Sequence, residues 1–491
     1  MDEGNSRPLT RGGGNVGRGR CCDKVAQKFG DAVRHGVSSG RRLQLFGSAK
    51  QIRAGECLSA TGNLIVGRCT DRQDTTRAKL RRRTHVTNSL PASETGIRAS
   101  LRHRRLRDIH TPADFRAAAK RRLPAMLFDY VDGGAGGELT VRENRRAIEA
   151  VRLLASAPHD VSTCDTKVSL FGQTLSLPVI IGPTGLASAS WPRGELEFAG
   201  AAARAGTRYV MPNAASIAPG EVARAAEGNA WFQLYPPPDR ELARKWVAQA
   251  QDAGISGLEV TVDVAAPGQR LRDARNGFVM PFRWGPKKAF DCALRPVWAM
   301  KMLYHGQPTP YLEIDGGKAA SAAANQSENR RHRFTRALSW DLLKLLRDEW
   351  RGPLLVKGLV DPSQALHAVE AGYDGIVVSN HGGRQLDGAV SSMEVLPEFR
   401  AAVGAGFPLL VDGGFQSGVD VVKAIASGAT AVQIGRVGVF ALATAGGQGV
   451  DHLLGLFRAE IENTMALCGV TRLDQLGPHC IRPQSWRSFE C

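Results

Sequence analysis

A short loop after an apolar run holds the two side chains of this chain that are best suited to chemistry. The loop reads Ser379-Asn380-His381-Gly382-Gly383-Arg384-Gln385-Leu386-Asp387, and it follows the apolar run 375–378. Ile and Val dominate that run, which predicts a buried β-strand ending where the polar residues begin. His381 can exchange a proton near neutral pH, and Arg384 can hold a carboxylate through two parallel hydrogen bonds. The pair predicts proton removal from a small organic acid, although a plain surface turn can carry the same two residue types.

Two glycine-rich segments follow two further apolar runs and favour a phosphate site. They are Asp412-Gly413-Gly414 and Ile434-Gly435-Arg436. Glycine lets a phosphate approach backbone N–H groups closely, and Arg436 adds a positive charge. Tight turns also need glycine, so each segment alone is weak evidence. Their place after two consecutive runs strengthens the interpretation.

Short apolar runs alternate with alanine-rich helical stretches from residue 178 onward, as in repeated βα units around a parallel sheet. Eight runs can be counted, at 179–181, 209–211, 231–235, 258–263, 354–356, 375–379, 409–412 and 431–434. They predict an α/β fold, either a closed (β/α)8 TIM barrel or an open doubly wound sheet. Polar residues and glycines cluster after the carboxyl ends of the runs, where a barrel enzyme builds its active site, and this favours the barrel.

Two further segments complete the predicted architecture. A helix capped by Thr111 leads into 124–130, and together they predict an N-terminal helical cover. The long insertion between the fourth and fifth strands, 281–339, breaks the βα rhythm and is a natural place for a lid or surface loop. Its early part, 292–305, mixes apolar residues with Arg and Lys. This composition fits a membrane surface and equally a packed helix.

The first hundred residues differ from the rest in charge and complexity. They hold 19 Lys and Arg against 8 Asp and Glu, which supplies +11 of the formal net charge of +17. They are rich in Gly, Ser and Arg without a sustained apolar period, so we predict a basic, disordered extension at 1–104 and a barrel domain at 105–480. An extension without a chemical role, a transit segment and an anion-binding tail all agree with this composition.

Cysteine and apolar-residue usage narrows the compartment and the class of protein. The nine Cys include no C-x-x-C pair, which indicates a reducing compartment and argues against a zinc site. No run of roughly 18 consecutive apolar residues predicts a membrane span. We expect a cytoplasmic protein that holds no metal and does not act on nucleic acid.

The loop, the glycine segments and several strand ends together resemble the FMN-dependent α-hydroxy-acid dehydrogenases and oxidases. This family includes glycolate oxidase, lactate oxidase, quinone-linked L-lactate dehydrogenase and mandelate dehydrogenase, and the resemblance extends from about Leu106 to about Cys468. It implies FMN as the cofactor. The flavin contacts that it implies are Pro183, Thr184, Gly185, Gln233, Thr261, Lys357, Ser379, Asp412, Gly413, Gly414, Gly435 and Arg436.

The same resemblance implies a reaction and the residues around the substrate. It makes His381 the base and Asp263 its carboxylate partner. Substrate contacts are implied at Tyr130, Tyr235, Arg270 and Arg384. The implied reaction is oxidation of an L-2-hydroxy acid to the 2-oxo acid, with electrons passing to flavin and then to a quinone or oxygen. A homotetramer and a peripheral position on the inner membrane are further expectations.

Four positions depart from the pattern of the family that the chain resembles. Gln416 stands where most members carry Arg, Pro212 replaces a Ser that contacts flavin, and Gly277 replaces an Arg. These changes keep open a flavin-binding barrel with weak or no dehydrogenase activity. An FMN barrel of the isopentenyl diphosphate isomerase type is a further alternative. Ala214 stands where glycolate-oxidising members often carry Trp, so the sequence favours a larger, mandelate-like or lactate-like acid.

Overall fold

The computed structural model describes residues 106–278, 285–305 and 336–482. The basic extension predicted at 1–104 and the middle of the predicted insertion lie outside these residues. The proposed limits of the extension and of the barrel domain therefore stay predictions.

Eight parallel strands close into a barrel, so the predicted (β/α)8 fold is confirmed. Each strand pairs with the next one along the chain, and the last pairs with the first. A two-stranded antiparallel hairpin, β1 (Val168–Leu170) and β2 (Gln173–Leu175), precedes them. The barrel strands are β3 (Val179–Ile181), β4 (Tyr209–Pro212), β5 (Ala230–Leu234), β6 (Gly257–Thr261), β7 (Leu354–Leu359), β8 (Gly375–Val378), β9 (Leu409–Val411) and β10 (Ala431–Ile434).

The inward side chains of the strands form two chemically different layers. The layer near the amino ends is an apolar cluster of Ile180, Val210, Trp231, Leu355, Val377, Leu410 and Ala431. The hairpin closes this end, and Phe171 packs on Trp231 with the ring centroids 5.7 Å apart. Because side chains alternate along a strand, the residues two positions later also point inward, and most of them are polar. The carboxyl ends of the strands therefore carry the polar groups.

Helices surround the barrel and fill the predicted positions between strands. Their bounds are α1 (Pro112–Arg122), α2 (Ala125–Asp132), α3 (Leu139–Ala150), α4 (Ala187–Ser190), α5 (Gly194–Arg204), α6 (Pro219–Ala225), α7 (Arg240–Asp252), α8 (Leu271–Asn276), α9 (Pro286–Ala293), α10 (Pro296–His305), α11 (Trp340–Glu349), α12 (Gln364–Glu370), α13 (Ser392–Val403), α14 (Gly418–Ala426), α15 (Arg436–Ala445) and α16 (Gly447–Leu467).

Helices α1 to α3 form the predicted N-terminal cover over the carboxyl end of the barrel. The Thr111 side chain caps α1 by accepting from the Asp114 N–H, and Asp114 accepts from the Thr111 N–H at 2.9 Å. Phe128 of α2 stacks on Phe440 of α15 with the centroids 5.9 Å apart. The start of α3 is tied to the His381 loop, because Asp387 accepts from the Thr140 N–H at 3.0 Å.

The described start of the insertion consists of α9 and α10, which are anchored on one side and exposed on the other. Asp291 accepts from the Ala125 N–H at 2.6 Å, and Trp298 Nε1 donates to the Ala189 carbonyl at 2.9 Å. Leu303 and Tyr304 are 80% and 85% exposed. None of the helices in the described part of the chain is long and apolar enough to cross a membrane.

Candidate active site

A cavity of about 720 Å³ opens at the carboxyl ends of the barrel strands, under the helical cover. Its size is within the usual range for a cofactor or small-molecule site. Sixteen residues singled out from the sequence line it: Tyr130, Pro183, Thr184, Gly185, Gln233, Tyr235, Thr261, Arg270, Lys357, His381, Arg384, Asp412, Gly413, Gly414, Gly435 and Arg436. The other two, Asp263 and Ser379, lie directly behind it and bond to His381 and Lys357. The structure therefore brings all eighteen together.

His381 is paired with Asp263. The His381 Nδ1 lies 2.9 Å from Asp263 Oδ1, and the two side chains are 19% and 13% exposed. Burial acts to raise the pKa of Asp263, but the charge and hydrogen bond of His381 outweigh it, so that this pKa is lowered. Asp263 remains a carboxylate that accepts the Nδ1–H of the imidazole. The other ring nitrogen, Nε2, is left for a substrate.

The backbone at His381 adopts a left-handed conformation that is uncommon for a residue with a Cβ. Its φ is 56°, and such a conformation costs on the order of 1–2 kcal/mol. The His381 N–H donates to Ser379 Oγ at 3.0 Å. The preceding residue, Asn380, exchanges side-chain hydrogen bonds of 2.9 and 2.7 Å with Asn144 of α3. These contacts hold the imidazole in one orientation.

Lys357 at the end of β7 is a buried cation within a hydrogen-bonded group. Its Nζ donates to Ser379 Oγ at 2.6 Å and to Asp412 Oδ2 at 2.5 Å. Burial acts to lower the pKa of Lys357, but the negative charges of Asp412, Glu259 and Asp263 raise it above its ordinary value. Lys357 therefore stays protonated at the cavity wall.

Two arginines and a tyrosine form what we name the substrate end of the cavity, together with His381. The Cζ of Arg384 lies 5.0 Å from the Tyr130 ring centroid, and the Cζ of Arg270 lies 5.9 Å from it. Burial and the positive charge of Arg270 lower the pKa of Arg384 to about 9. Among the described residues, the buried Arg270 Nε has no hydrogen-bond partner. Repulsion between two partly buried guanidinium groups favours binding of an anion between them.

Glycine backbone and Arg436 form a second part of the cavity wall, which we name the phosphate end: Gly413, Gly414, Gly435 and Arg436. Gly413 and Gly414 have φ values of 99° and 90°, and an added Cβ at Gly414 meets Asn144 Cβ at 3.1 Å. Gly435 precedes α15, whose first N–H groups favour an anion at this position. The phosphate end therefore has the groups that a phosphate ester requires.

One backbone carbonyl joins the two ends. The oxygen of Gly133 accepts from Arg384 Nη1 at 2.8 Å and from Arg436 Nη2 at 2.9 Å. Arg436 Nη1 also donates to the Gly382 carbonyl at 2.8 Å. The residue after α2 thus fixes the guanidinium groups of both ends.

The departures from the family pattern lie at different distances from the cavity. Pro212, Ala214 and Gln416 line it, whereas Gly277 does not. Gly277 ends α8 with a φ of 58°, a conformation that favours glycine at a helix terminus. The loss of a side chain at this position therefore has a local structural cause.

The sequence did not single out Arg145, although it lies at the phosphate end. Arg145 of α3 lines the cavity, and its Nη1 donates to the Gly414 carbonyl at 3.3 Å and to Asp420 at 2.5 Å. Gln416, which replaces the Arg of the family, lines the same part of the cavity. A guanidinium from the cover thus lies beside the position where the family's arginine is missing. Arg145 lies on a helix of the cover and not after a strand, so the strand-end pattern in the sequence did not reveal it.

Asp273 was also missed, because it lies two residues inside a short helix rather than at a strand end. It lines the cavity, and burial raises its pKa despite the charges of Arg384 and Arg270. A carboxyl group near the substrate end partly offsets these two cations.

Comparison with known proteins agrees with this geometry. The family profile described as FMN-dependent dehydrogenase matches residues 119–483. An L-lactate dehydrogenase of Caulobacter sp. (strain K31) is 41% identical over 377 residues, which cover 75% of this chain and 97% of that protein. The (S)-mandelate dehydrogenase of Pseudomonas putida is 39% identical over 365 residues, 74% of this chain and 92% of that protein.

Solved structures give the same result. The crystal structure of the monotopic membrane protein (S)-mandelate dehydrogenase has a TM-score of 0.74 and 38% identity, and the match covers 76% of this chain and 99% of that one. A mandelate oxidase has a TM-score of 0.64 and 36% identity over 74% of this chain and 96% of that one. The chain belongs to the FMN-dependent dehydrogenase family, whose cofactor is FMN.

Proposed function

We propose that this protein oxidises an L-2-hydroxy acid of mandelate or lactate type to the 2-oxo acid with bound FMN. The observation that carries the proposal is one cavity in which the His381–Asp263 pair faces Arg270, Arg384 and Tyr130. A base beside two carboxylate-binding cations matches a substrate that carries its reacting carbon next to a carboxylate.

The cavity has unsatisfied groups that suit FMN. Five polar atoms buried in the cavity wall have no hydrogen-bond partner within the part of the chain that the structure describes: Thr184 Oγ1, Gln233 Nε2, Thr261 Oγ1, Asp412 Oδ1 and Arg436 Nε. Buried polar atoms are usually satisfied, so this set favours a polar ligand. The phosphate end would hold the phosphate, and the strand-end residues would hold the ring. Bound FMN supplies a two-electron acceptor for the substrate carbon.

Arg384 and Arg270 would bind the substrate carboxylate, with Tyr130 and Tyr235 as hydroxyl donors to it. Arg384 keeps its position through the Gly133 carbonyl, so its guanidinium needs little reorganisation when the acid binds. Charge pairing inside a buried site orients the acid with its hydroxyl toward His381.

His381 would take the substrate proton on Nε2. Asp263 then faces an imidazolium, and the carboxylate stabilises that charge across the 2.9 Å contact. The same base serves whether the hydroxyl proton or the α-proton leaves first. The ordered His381 backbone keeps the acceptor nitrogen at a fixed position relative to the carboxylate site.

The side of the cavity near Ala214 favours a substrate larger than glycolate. Ala214 Cβ lies 3.5 Å from the position of a Cβ at Gly185, so two small residues meet there. Leu186, Val264 and Phe278 add apolar lining. We infer a 2-substituent larger than the hydrogen of glycolate, such as the methyl group of lactate or the phenyl group of mandelate, the substrates named for two of the relatives.

We further infer that α9 and α10 lie on a membrane surface. Their outward face carries Phe290, Leu294, Val297, Met300, Leu303 and Tyr304, each at least 55% exposed. Lys287 and Lys288 accompany them, a combination suited to anionic lipid headgroups. One structural relative is described as a monotopic membrane protein, which supports the same position for this chain. On the cytoplasmic side of the inner membrane, the protein would then pass electrons to a quinone, with oxygen as the alternative acceptor.

Membrane binding is tested by sedimentation with vesicles of mixed anionic and neutral lipid. Leu303→Ser with Tyr304→Ser should reduce the bound fraction strongly, whereas Leu366→Ser, a 53% exposed leucine on α12, should not. Equal binding of all three proteins contradicts the inference. Light scattering of the same samples tests the homotetramer that the family resemblance favours.

The principal experiment is anaerobic reduction of the purified protein. It should show a flavin spectrum that mandelate or lactate bleaches and glycolate bleaches poorly. A colourless folded protein that takes up no FMN refutes the proposal. A flavin band that none of the three acids bleaches favours the second candidate function, a flavin-binding barrel with weak activity. The observation that supports this candidate is the departure from the family pattern at Gln416 and Pro212, which both line the cavity.

A further inference from the structure

Glu259 is a fully buried carboxyl group in the interior of the barrel that the proposed reaction does not use. It lies on β6 with a relative exposure of 0%. Thr261, two positions later on the same inward face, lines the cavity, whereas Glu259 does not. Glu259 therefore lies one layer below the cavity floor, between the apolar cluster and the proposed flavin site.

The surroundings of Glu259 are polar but contain few charges. Its Oε2 accepts from Gln433 Nε2 of β10, and its Oε1 has no partner in the described ranges 106–278, 285–305 and 336–482. The buried Gln433 Oε1 and Gln233 Nε2 are also unpartnered. Gln233 is the registered neighbour of Glu259 on β5. Such a layer can hold a carboxyl group in either protonation state.

The charged groups that act on Glu259 come from three strands. They are Lys357 on β7, the carboxylate of Asp412 after β9, and that of Asp263 beyond the end of its own strand. Burial, with the two carboxylates, raises the pKa of Glu259 to about 7, although Lys357 and the Gln433 hydrogen bond lower it. Lys357 is already bonded to Asp412 at 2.5 Å, so it compensates Glu259 only in part.

We propose that Glu259, held by Gln433 below Lys357, takes up a proton from solvent when bound flavin is reduced. This proton sets the net charge of the site, and the flavin potential depends on that charge. The inference rests on the proposed FMN site. Glu259 is then a positioning residue and not a catalytic one, because it acts on the charge of the site through Lys357 and does not touch substrate.

The physical reason is charge balance in a buried space. Two electrons and one proton convert oxidised flavin to its anionic reduced form, which adds one negative charge near Lys357. The negative charge of the reduced flavin competes with the carboxylates of Asp412 and Glu259 for the positive charge of Lys357. Protonation of Glu259 removes one of the three negative charges, and the proton comes from bulk water. The substrate proton stays on His381 and is counted separately.

The test counts the protons taken up by the FMN-loaded full-length protein during photochemical reduction without substrate, at about pH 8, with an indicator dye. His381→Gln is the background, because His381 is a second group that can take up a proton. We expect about two protons per two electrons in this background, and about one when Glu259→Gln is added. The flavin potential of the double variant should then depend less steeply on pH. Equal proton counts overturn the proposal.

Two further measurements keep the outcome clear. Glu195→Gln removes another fully buried glutamate, one that is bonded to Ser188 and to the Ser216 N–H outside the cavity lining, and it should leave the proton count unchanged. If Glu259→Gln does not fold, the His381→Gln protein labelled with ¹³C-glutamate is decisive. Its reduced-minus-oxidised infrared spectrum should show a new protonated glutamate band, and absence of that band overturns the proposal. Failure to bind FMN at all refutes the proposed function instead.

Discussion

The substrate end of the cavity is built from side chains, whereas the phosphate end is built mainly from backbone. At the substrate end, His381 bonds to Asp263, and Arg384 lies over the Tyr130 ring. At the phosphate end, two glycines with positive φ and the start of α15 face the cavity. A site built from side chains loses its function when one of those residues is replaced by another type. A site built from backbone groups keeps its function as long as the fold is kept.

This difference accounts for one of the departures from the family, the one at Gln416. Gln416 lies near the phosphate end, where Arg436 and Arg145 also contribute guanidinium groups. The residues that would carry the reaction at the substrate end match the family pattern. We therefore expect substitutions at the substrate end to reduce turnover sharply, and those at the phosphate end to change FMN affinity by smaller factors.

His381→Gln should have the largest effect. It keeps a polar side chain of similar reach but removes the proton acceptor, so kcat for the preferred acid should fall by about 10²–10⁴-fold. The flavin spectrum should stay, because the phosphate end is unchanged. His367→Gln, at an exposed histidine of α12, is the matched control and should retain wild-type turnover. Turnover of the His381 variant at the control rate contradicts the assignment of the base.

Arg384→Met should have the next largest effect. The substitution keeps much of the apolar stem and removes a charge that contacts the Gly133 carbonyl at 2.8 Å. Loss of one partner of a buried charge pair costs about 2–5 kcal/mol, so kcat/KM should fall by at least about 30-fold. Steady-state kinetics with the acid and with its methyl ester separate the causes. An equal loss with both substrates argues against carboxylate binding by Arg384.

Ala214→Trp tests the apolar part of the substrate end. The indole should fill the space next to Gly185, where the Ala214 Cβ lies 3.5 Å from the position of an added Cβ. We expect the ratio of kcat/KM for mandelate to that for glycolate to fall by about 10–200-fold, a typical range for pocket size selection. Ala214→Ser changes the same position with little added volume, so it is the control and should keep the ratio. A ratio that does not change with Trp places the substituent elsewhere.

The sequence predicted the barrel well because its signals are local. Each strand is a short, mainly apolar run, and several functional residues lie at or just after the end of such a run, as His381 follows β8. The structure confirms the eight strands and the cover, and it gathers the predicted residues around one cavity. Their individual roles remain predictions.

The contacts between segments that are distant in the chain could not be predicted from the sequence pattern. Arg145 is on a helix far from Gly414 in the chain, and only the packing of α3 over the barrel brings them within 3.3 Å. Glu259 and Gln433 are similar, since each looks like a polar interruption of a strand until closure of the barrel places them together. A single polar residue inside an apolar run is therefore a sequence signal for a buried polar contact of this kind.

The smallest expected effect concerns the phosphate end and decides whether Arg145 replaces the missing arginine. Arg145→Met should weaken FMN binding by about tenfold, the effect of losing about 1.4 kcal/mol from one charged contact. Riboflavin, which lacks the phosphate, should bind the variant and the wild type equally, so a change in riboflavin affinity indicates a folding defect instead. Gln416→Arg should tighten FMN by a similar factor, and adding it to Arg145→Met should restore affinity. If Gln416→Arg fails to restore it, Arg145 serves only to pair with Asp420. The phosphate end then depends on backbone and Arg436 alone, and its contrast with the substrate end is sharper still.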